Sequence, residues 1–123
     1  MGGGDAPAAL AAAVAAGGGL GMIGGTTTGG STWLAEQIRR ARELTDRPFG
    51  VGLLSHVPNA GELTDVALDA GVKVIAHSFA DPSPSVARAH EPAVLVTRAT
   101  QLIGDAARSR APELGELPAP FEP

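Results

Sequence analysis

Four short segments carry the residue types that could bind a ligand or move a proton. They are residues 1–4 (MGGG), 24–27 (GGTT), 54–56 (LSH) and 77–81 (HSFAD). The last three stand at the ends of predicted strands. In α/β folds, ligands bind beyond the carboxyl ends of parallel strands, so we expect these segments to meet at one edge of a sheet. Their glycines would let a flat ring or a phosphate approach main-chain N–H groups, but glycine also simply permits tight turns.

Histidine is the side chain best suited to proton transfer near neutral pH, and the chain has three, His56, His77 and His90. None stands in an HExxH or similar spacing, so a zinc site is not predicted. His77 lies at a predicted strand end and could be a general base or a ring contact; a hydrogen-bonded structural histidine is the favoured alternative. We expect His56 and His90 to be solvated.

Other candidate groups have structural explanations. Asp81 precedes two Pro-Ser steps and is interpreted as a helix cap in preference to a substrate acid. Trp33 begins a helix, where packing over the sheet is favoured over stacking on a ligand. The GxGxxG match at residues 19–24 falls on a predicted strand, and no GxxxxGK[ST] phosphate loop is present. A solvated, partly salt-bridged helix face is predicted for Arg39, Arg40, Arg42, Glu36 and Glu43.

The elements that must position these groups follow from apolar runs and breakers. Short apolar runs predict strands over residues 20–24, 49–54, 72–76 and 93–96. Helical spacing predicts helices over residues 7–16, 31–44, 62–70, 85–90 and 101–108. We expect Asp5 to cap the first helix and Ser31 or Thr32, with Glu36, to begin the second. Gly71 should end the third helix in the left-handed conformation.

Strands and helices alternate along the chain with short connections. This order predicts repeated βα units and a parallel sheet, so the expected fold class is α/β with right-handed crossovers. Residues 1–111 are assigned to this domain. Residues 112–123 hold four prolines and three Glu and are predicted to be a mobile tail.

Composition narrows the class of partner. The 123 residues include 9 basic and 13 acidic side chains, a net charge of −4, so nothing attracts nucleic acid or an anionic membrane. The most apolar stretch, residues 10–16, is shorter than the roughly 20 residues of a membrane helix. A signal peptide would need basic residues near its start, and no basic residue precedes Arg39. The absence of Cys fits a reducing compartment, and we expect a cytoplasmic protein.

Several linked segments give the chain a family resemblance. After residues 1–3 (MGG) come residues 9–25 (ALAAAVAAGGGLGMIGG), residues 33–54 (WLAEQIRRARELTDRPFGVGLL) and a strand ending in residues 78–84 (SFADPSP). In this combination the chain resembles the nitronate monooxygenase family, FMN enzymes built on a TIM barrel. The resemblance covers residues 1 to about 85. It implies flavin-mediated oxidation of a small nitronate by O₂.

The resemblance also implies cofactor-binding positions. The flavin ring is expected to lie against Met1, Gly2 and Gly3. The floor below the ring is expected to be Gly50, Val51 and Gly52. The residues expected beside the ring and the substrate are Ser78 and Phe79. Many relatives have Asn where this chain has Gly52. No residue is assigned a catalytic role, because the family's histidine, in an AGGH segment, has no counterpart in this sequence.

The chain also departs from the family pattern. The PIxxAPM strand that opens the family's barrel is reduced to Met1, and the phosphate-binding glycine loops have no counterpart after Pro84. A (β/α)₈ barrel needs about 250 residues, so we expect a partial TIM-barrel-like arrangement of three or four parallel βα units, with little turnover alone. Two alternatives stay open: a non-enzymatic module that forms a homo-oligomer through exposed sheet edges, and a related FMN-barrel enoyl reductase.

Overall fold

Helices and strands alternate in the computed structural model, which describes residues 3–4, 6–79 and 95–99. The helices are α1 (Ala8–Ala16), α2 (Gly30–Leu44) and α3 (Ala60–Asp69). The strands are β1 (Gly21–Gly24), β2 (Phe49–Leu54), β3 (Val74–Ser78) and β4 (Leu95–Ala99). All four strands are parallel and adjacent in chain order, β1-β2-β3-β4. The predicted α/β class, with parallel βα units as in part of a TIM barrel, is confirmed.

The consecutive strand order puts α2 and α3 on one face of the sheet, because right-handed crossovers between neighbouring parallel strands turn to the same side. Helix α1 packs on the same face, where Ala8 and Ala11 join the core. Ile23, Val51 and Ile75 are in register across β1, β2 and β3 and have no exposed surface. They form one apolar core with helix residues that include Leu34, Ile38, Leu63 and Ala67. Because side chains alternate along a strand, the residues just before and just after Ile23, Val51 and Ile75 point to the opposite face.

Helix α1 receives its cap from another helix. The expected cap, Asp5, lies outside the described residues, and the N-cap position is Pro7, which offers no side-chain acceptor. The N–H of Ala8 instead donates to Oε1 of Gln37 on α2, at 2.9 Å, in a buried contact. A side chain far away in sequence thus satisfies one of the four N–H groups that a helix start leaves without partners.

Helix α2 does not begin as predicted. Its N-cap is Gly29 and its first residue is Gly30, so the helix starts one residue before Ser31 and the expected start at Ser31 or Thr32 is wrong. The Ser31 hydroxyl is taken up by a tertiary contact: it donates to Oε1 of Glu62 on α3, at 2.5 Å. The Ser31 hydroxyl therefore links α2 to α3.

Helix α3 ends in a Schellman motif that moves the start of β3. Gly71 has φ +72°, as predicted, and its N–H donates to Leu68 O at 2.8 Å. The next N–H, of Val72, donates to Ala67 O at 3.1 Å. Because the main chain of Val72 is used by the helix end, the strand begins at Val74, and the predicted bounds 72–76 are two residues too early.

Strand β4 lies slightly later than the predicted strand over residues 93–96. The helices predicted over residues 85–90 and 101–108, and the tail over residues 112–123, lie outside the described residues. Among the residues that the structure describes, no helix is long and apolar enough to cross a membrane.

Candidate functional site

The carboxyl edge of the sheet gathers the predicted ligand-binding segments. Strands β1, β2 and β3 end there at Gly24, Leu54 and Ser78. Gly3 reaches the same edge through a parallel bridge to Thr26, just beyond β1. Gly3 therefore lies beside the exit of β1. Met1 and Gly2 lie outside the described residues.

A row of small residues lies on the sheet face away from the helices. Gly24, Gly52 and Ala76 are in register across β1, β2 and β3. They alternate with residues of the buried core, so they face the side on which no described helix packs. Two of the three are glycines, so main chain makes up most of this row, as a flat ring lying on the sheet would require. Gly24 and Gly52 are themselves buried, and Ala76 is half-buried.

The three residues predicted to form the ring floor differ in what they present. Gly52 belongs to the small-residue row. Gly50 is covered, because a Cβ added there would lie 2.6 Å from Sδ of Met22 and 2.9 Å from the carbonyl oxygen of Val74. The Val51 side chain has no exposed surface and packs in the core on the helix side. Only the main chain of Val51 can face a ligand, and Met22 replaces Gly50 as the surface beside Gly52.

Hydrogen bonds fix the strand exits relative to one another. The N–H of Leu54 donates to Oγ1 of Thr26 at 2.9 Å, which joins the exits of β1 and β2. The N–H of Ser55 donates to the carbonyl oxygen of Ser78 at 2.9 Å. The Ser55 Oγ also lies 2.5 Å from Nδ1 of His77. Ser55 therefore joins the exit of β2 to β3 through both its main chain and its side chain.

His77 is a structural histidine within β3, not a residue of the strand exit. It is only 2% exposed, and its register partner Leu53 belongs to the core on the helix side. Burial lowers the pKa of His77, so the ring is neutral near pH 7. Nδ1 is bonded to Ser55, whereas Nε2 is buried without a hydrogen-bond partner. This position does not serve a general base acting on the opposite face, and the favoured hydrogen-bonded interpretation holds.

His56 and Phe79 form an aromatic pair beyond the strand ends. Their ring centroids are 5.7 Å apart and the ring planes meet at 89°, an edge-to-face arrangement. His56 is exposed, as predicted, but its contact with Phe79 was not foreseen from the sequence. Phe79 is itself 58% exposed and has φ +68°.

The remaining candidates have structural roles where the structure describes them. Trp33 is half-buried and packs against the core, as predicted. Arg39 forms ion pairs with Glu36, at 2.7 Å, and with Glu43, which confirms the predicted salt-bridged face. The hydrogen bond from Arg39 lowers the pKa of Glu36. Asp81 and His90 lie outside the described residues.

A cleft of about 440 Å³ opens at the opposite, amino-terminal edge of the sheet, and Arg42, Arg47 and Lys73 are among its lining residues. Arg42 donates to the carbonyl oxygen of Ala70 at the end of α3. Cations at helix carboxyl ends offset the negative end of the helix dipole, which accounts for charge at this position. Residues predicted to contact a ligand do not line this cleft, so the carboxyl edge is the candidate site.

A flat ring fits the residues at the carboxyl edge. A Cβ added to Gly3 would meet no atom within 4 Å, so the main chain of Gly3 is open. The small-residue row supplies a floor, and Phe79 supplies an exposed aromatic surface beside it. The residues that could hold a flavin ring are Gly3, Gly52, Ser78 and Phe79.

Comparison with known proteins agrees with this geometry. Residues 1–80 match the nitronate monooxygenase family. The chain belongs to this family. No curated protein matches it. The matched range includes the first three segments that carry the resemblance and residues 78–80 of the last one. It also includes Gly3, Gly52, Ser78 and Phe79.

Two solved structures show how much of a family barrel the chain represents. The structure of FabK from Thermotoga maritima has a TM-score of 0.77 and 28% sequence identity, over 85% of this chain and 33% of that chain. A point mutant of the same FabK has a TM-score of 0.77 and 30% identity, over 86% of this chain and 36% of that chain. The chain thus spans about a third of these relatives, and its fold is that of a partial barrel from an oxidoreductase family.

Proposed function

We propose that this chain holds the isoalloxazine ring of FMN and is part of an enzyme that uses FMN to oxidise alkyl nitronates with O₂. The observation that carries the proposal is the row formed by Gly24, Gly52 and Ala76, which leads to Ser78 and Phe79 at the carboxyl edge. Membership of the nitronate monooxygenase family supports the choice of cofactor and substrate class. When bound, FMN supplies the redox chemistry, and the protein binds and orients it.

In this proposal the described residues bind and orient the ring, and none is assigned a proton transfer. Gly3 and Gly52 would offer main chain to the ring, and Phe79 would shield one side of it from water. His77, the only buried histidine among the described residues, is neutral and lies on the helix side. We therefore expect the purified chain to bind FMN but to consume O₂ with a nitronate no faster than free FMN does.

An FMN titration followed by flavin fluorescence tests the proposal. The wild-type chain should bind FMN saturably, with a Kd in the micromolar range or below. Gly52→Val places a branched side chain on the ring floor and should raise the Kd at least tenfold, with circular dichroism as the check that the variant is folded. Gly17→Ala is the matched control, because a Cβ there meets only ordinary contacts at 3.5 Å and beyond, away from the site. A wild-type chain that fails to bind FMN contradicts the proposal.

Enoyl reduction by an FMN barrel is the second candidate. It is kept because the solved relatives carry a name, FabK, that differs from the family name matched by the sequence. The two activities differ in the substrate that exchanges electrons with the flavin. Adding a nitronate or an enoyl thioester to the FMN-loaded chain, and following displacement or quenching of the flavin, would show which substrate class competes for the ring site.

A further inference from the structure

Phe79 holds a backbone conformation that a bulky side chain rarely adopts. Its φ is +68°, the one positive value at a non-glycine residue in the part of the chain that the structure describes. The side chain is 58% exposed, so burial of the ring does not offset the strain. Strained residues of this kind persist where their surroundings enforce the conformation, and they cluster at ligand sites.

The described contacts that hold Phe79 come from the exit of β2. His56 meets the Phe79 ring edge-to-face, with centroids 5.7 Å apart. The neighbouring residue, Ser55, donates its N–H to the carbonyl oxygen of Ser78 at 2.9 Å. The same Ser55 is bonded through Oγ to the buried Nδ1 of His77. His56 therefore follows a residue, Ser55, that two hydrogen bonds hold to β3, although His56 is itself exposed.

We propose that His56 is a positioning residue for the flavin: its ring holds the Phe79 ring upright at the carboxyl edge, as a wall against which the planar isoalloxazine packs. The inference rests on the proposed function, because it requires FMN at this edge. It assigns a role to a residue that the sequence predicts only to be solvated. It also explains why an exposed aromatic residue is kept in a strained conformation just after β3.

The edge-to-face contact can be tested in the chain without cofactor. Each ring shields or deshields the protons of the other, so the His56 ring C–H signals should shift in the NMR spectrum when Phe79→Ala removes its partner. Leu44→Ala is the control, because Leu44 is similarly exposed, at 57%, but lies at the far end of α2. Unchanged His56 signals in the Phe79→Ala variant would overturn the inference.

FMN titrations of two His56 variants test the positioning role. His56→Ala should raise the Kd for FMN threefold to tenfold, the effect expected from losing one aromatic contact. His56→Phe restores an edge-to-face partner and should bring the Kd back to within twofold of wild type. Rescue by a ring that cannot ionise separates positioning of Phe79 from a direct polar contact between His56 and the flavin.

The outcomes separate this inference from the proposed function. If the wild-type chain binds FMN and His56→Ala binds it equally well, the role of His56 is refuted and the proposed function stands. Failure of His56→Phe to rescue binding also refutes positioning. If the wild-type chain does not bind FMN, both proposals fall together.

Discussion

His77 shows, at the scale of one residue, how burial decides what a side chain can do. The residue is a histidine near a strand end in an α/β sheet, a combination that suggests proton transfer. In the folded chain it lies on the helix side, bonded through Nδ1 to Ser55 and desolvated at Nε2. Its imidazole therefore contributes packing and one hydrogen bond. Protonation of the ring is linked to unfolding of the chain.

We predict that His77 makes the chain less stable in mild acid. Burial lowers its pKa in the folded state, so below the ordinary histidine value of about 6.5 the unfolded chain binds a proton that the folded chain does not. The free energy of unfolding should therefore fall as the pH drops through this region. Urea denaturation at pH 7.5 and at pH 5.5, roughly one unit on either side of that value, measures the fall.

Two variants assign the pH effect. His77→Gln removes the titrating group and should flatten the pH dependence, whatever its effect on stability at pH 7.5. His56→Gln, at an exposed position, should retain the wild-type fall. Equal pH dependence in all three proteins would show that His77 is not the cause.

At the scale of the element, helix α1 depends on a tertiary contact for its start. Gln37 is buried on α2 and accepts the Ala8 N–H. Gln37→Met keeps the length and the apolar stem but removes the acceptor, so we expect a loss of about 0.5–2 kcal/mol in the free energy of unfolding. Arg40→Met, on the exposed face of the same helix, should change it by less than about 0.5 kcal/mol. Similar losses in both variants would count against the cap.

The packing of α1 on β1 depends on a glycine. A Cβ added to Gly21 would lie 1.8 Å from the carbonyl oxygen of Ala11, an overlap with backbone that no side-chain rotation relieves. We expect Gly21→Ala to destabilise the fold by about 1–3 kcal/mol or more, because the helix must move away from the strand. Gly17→Ala, with no close contact, should be tolerated. Chemical denaturation of the two variants gives the comparison, and equal stability would refute the close approach.

At the scale of the whole molecule, α1 presents an apolar outer face. The helix has no charged or polar side chain, and Leu10 and Val14, one turn apart, are 43% and 42% exposed. The chain also spans only about a third of its solved relatives. A helix that is apolar on all sides is normally covered. We propose that a second copy of this chain covers the face, which would make the chain a homo-oligomer.

Light scattering after size exclusion tests this proposal. The wild-type chain should be larger than a monomer, and the double substitution Leu10→Glu with Val14→Lys should shift it towards the monomer. That pair places opposite charges four residues apart, which supports the helix and leaves the net charge unchanged. Leu44→Gln, at an exposed position on α2, should not change the mass. A monomeric wild-type chain would contradict self-association.

Local signals were sufficient for most of the elements. Strand β2 occupies the predicted residues 49–54, because its apolar run is bounded by Pro48 and a turn. Gly71 ends α3 as predicted, because a left-handed cap needs only glycine at the right place. The starts of α1 and α2 were not predictable in the same way. Gln37 and Ser31 found partners on other helices, and sequence spacing carries no information about such pairs.

The sequence by itself determined the α/β class, the order of the βα units and the family, because hydrophobic period, breakers and motif spacing are local properties of the chain. Tertiary structure decided which face of the sheet each residue lies on. The sheet register put Gly52 on the face away from the helices, Val51 in the core and Met22 over Gly50. It also brought His56 to Phe79. These outcomes depend on strand pairing and packing between residues distant in sequence, and such contacts exist only once the chain has folded.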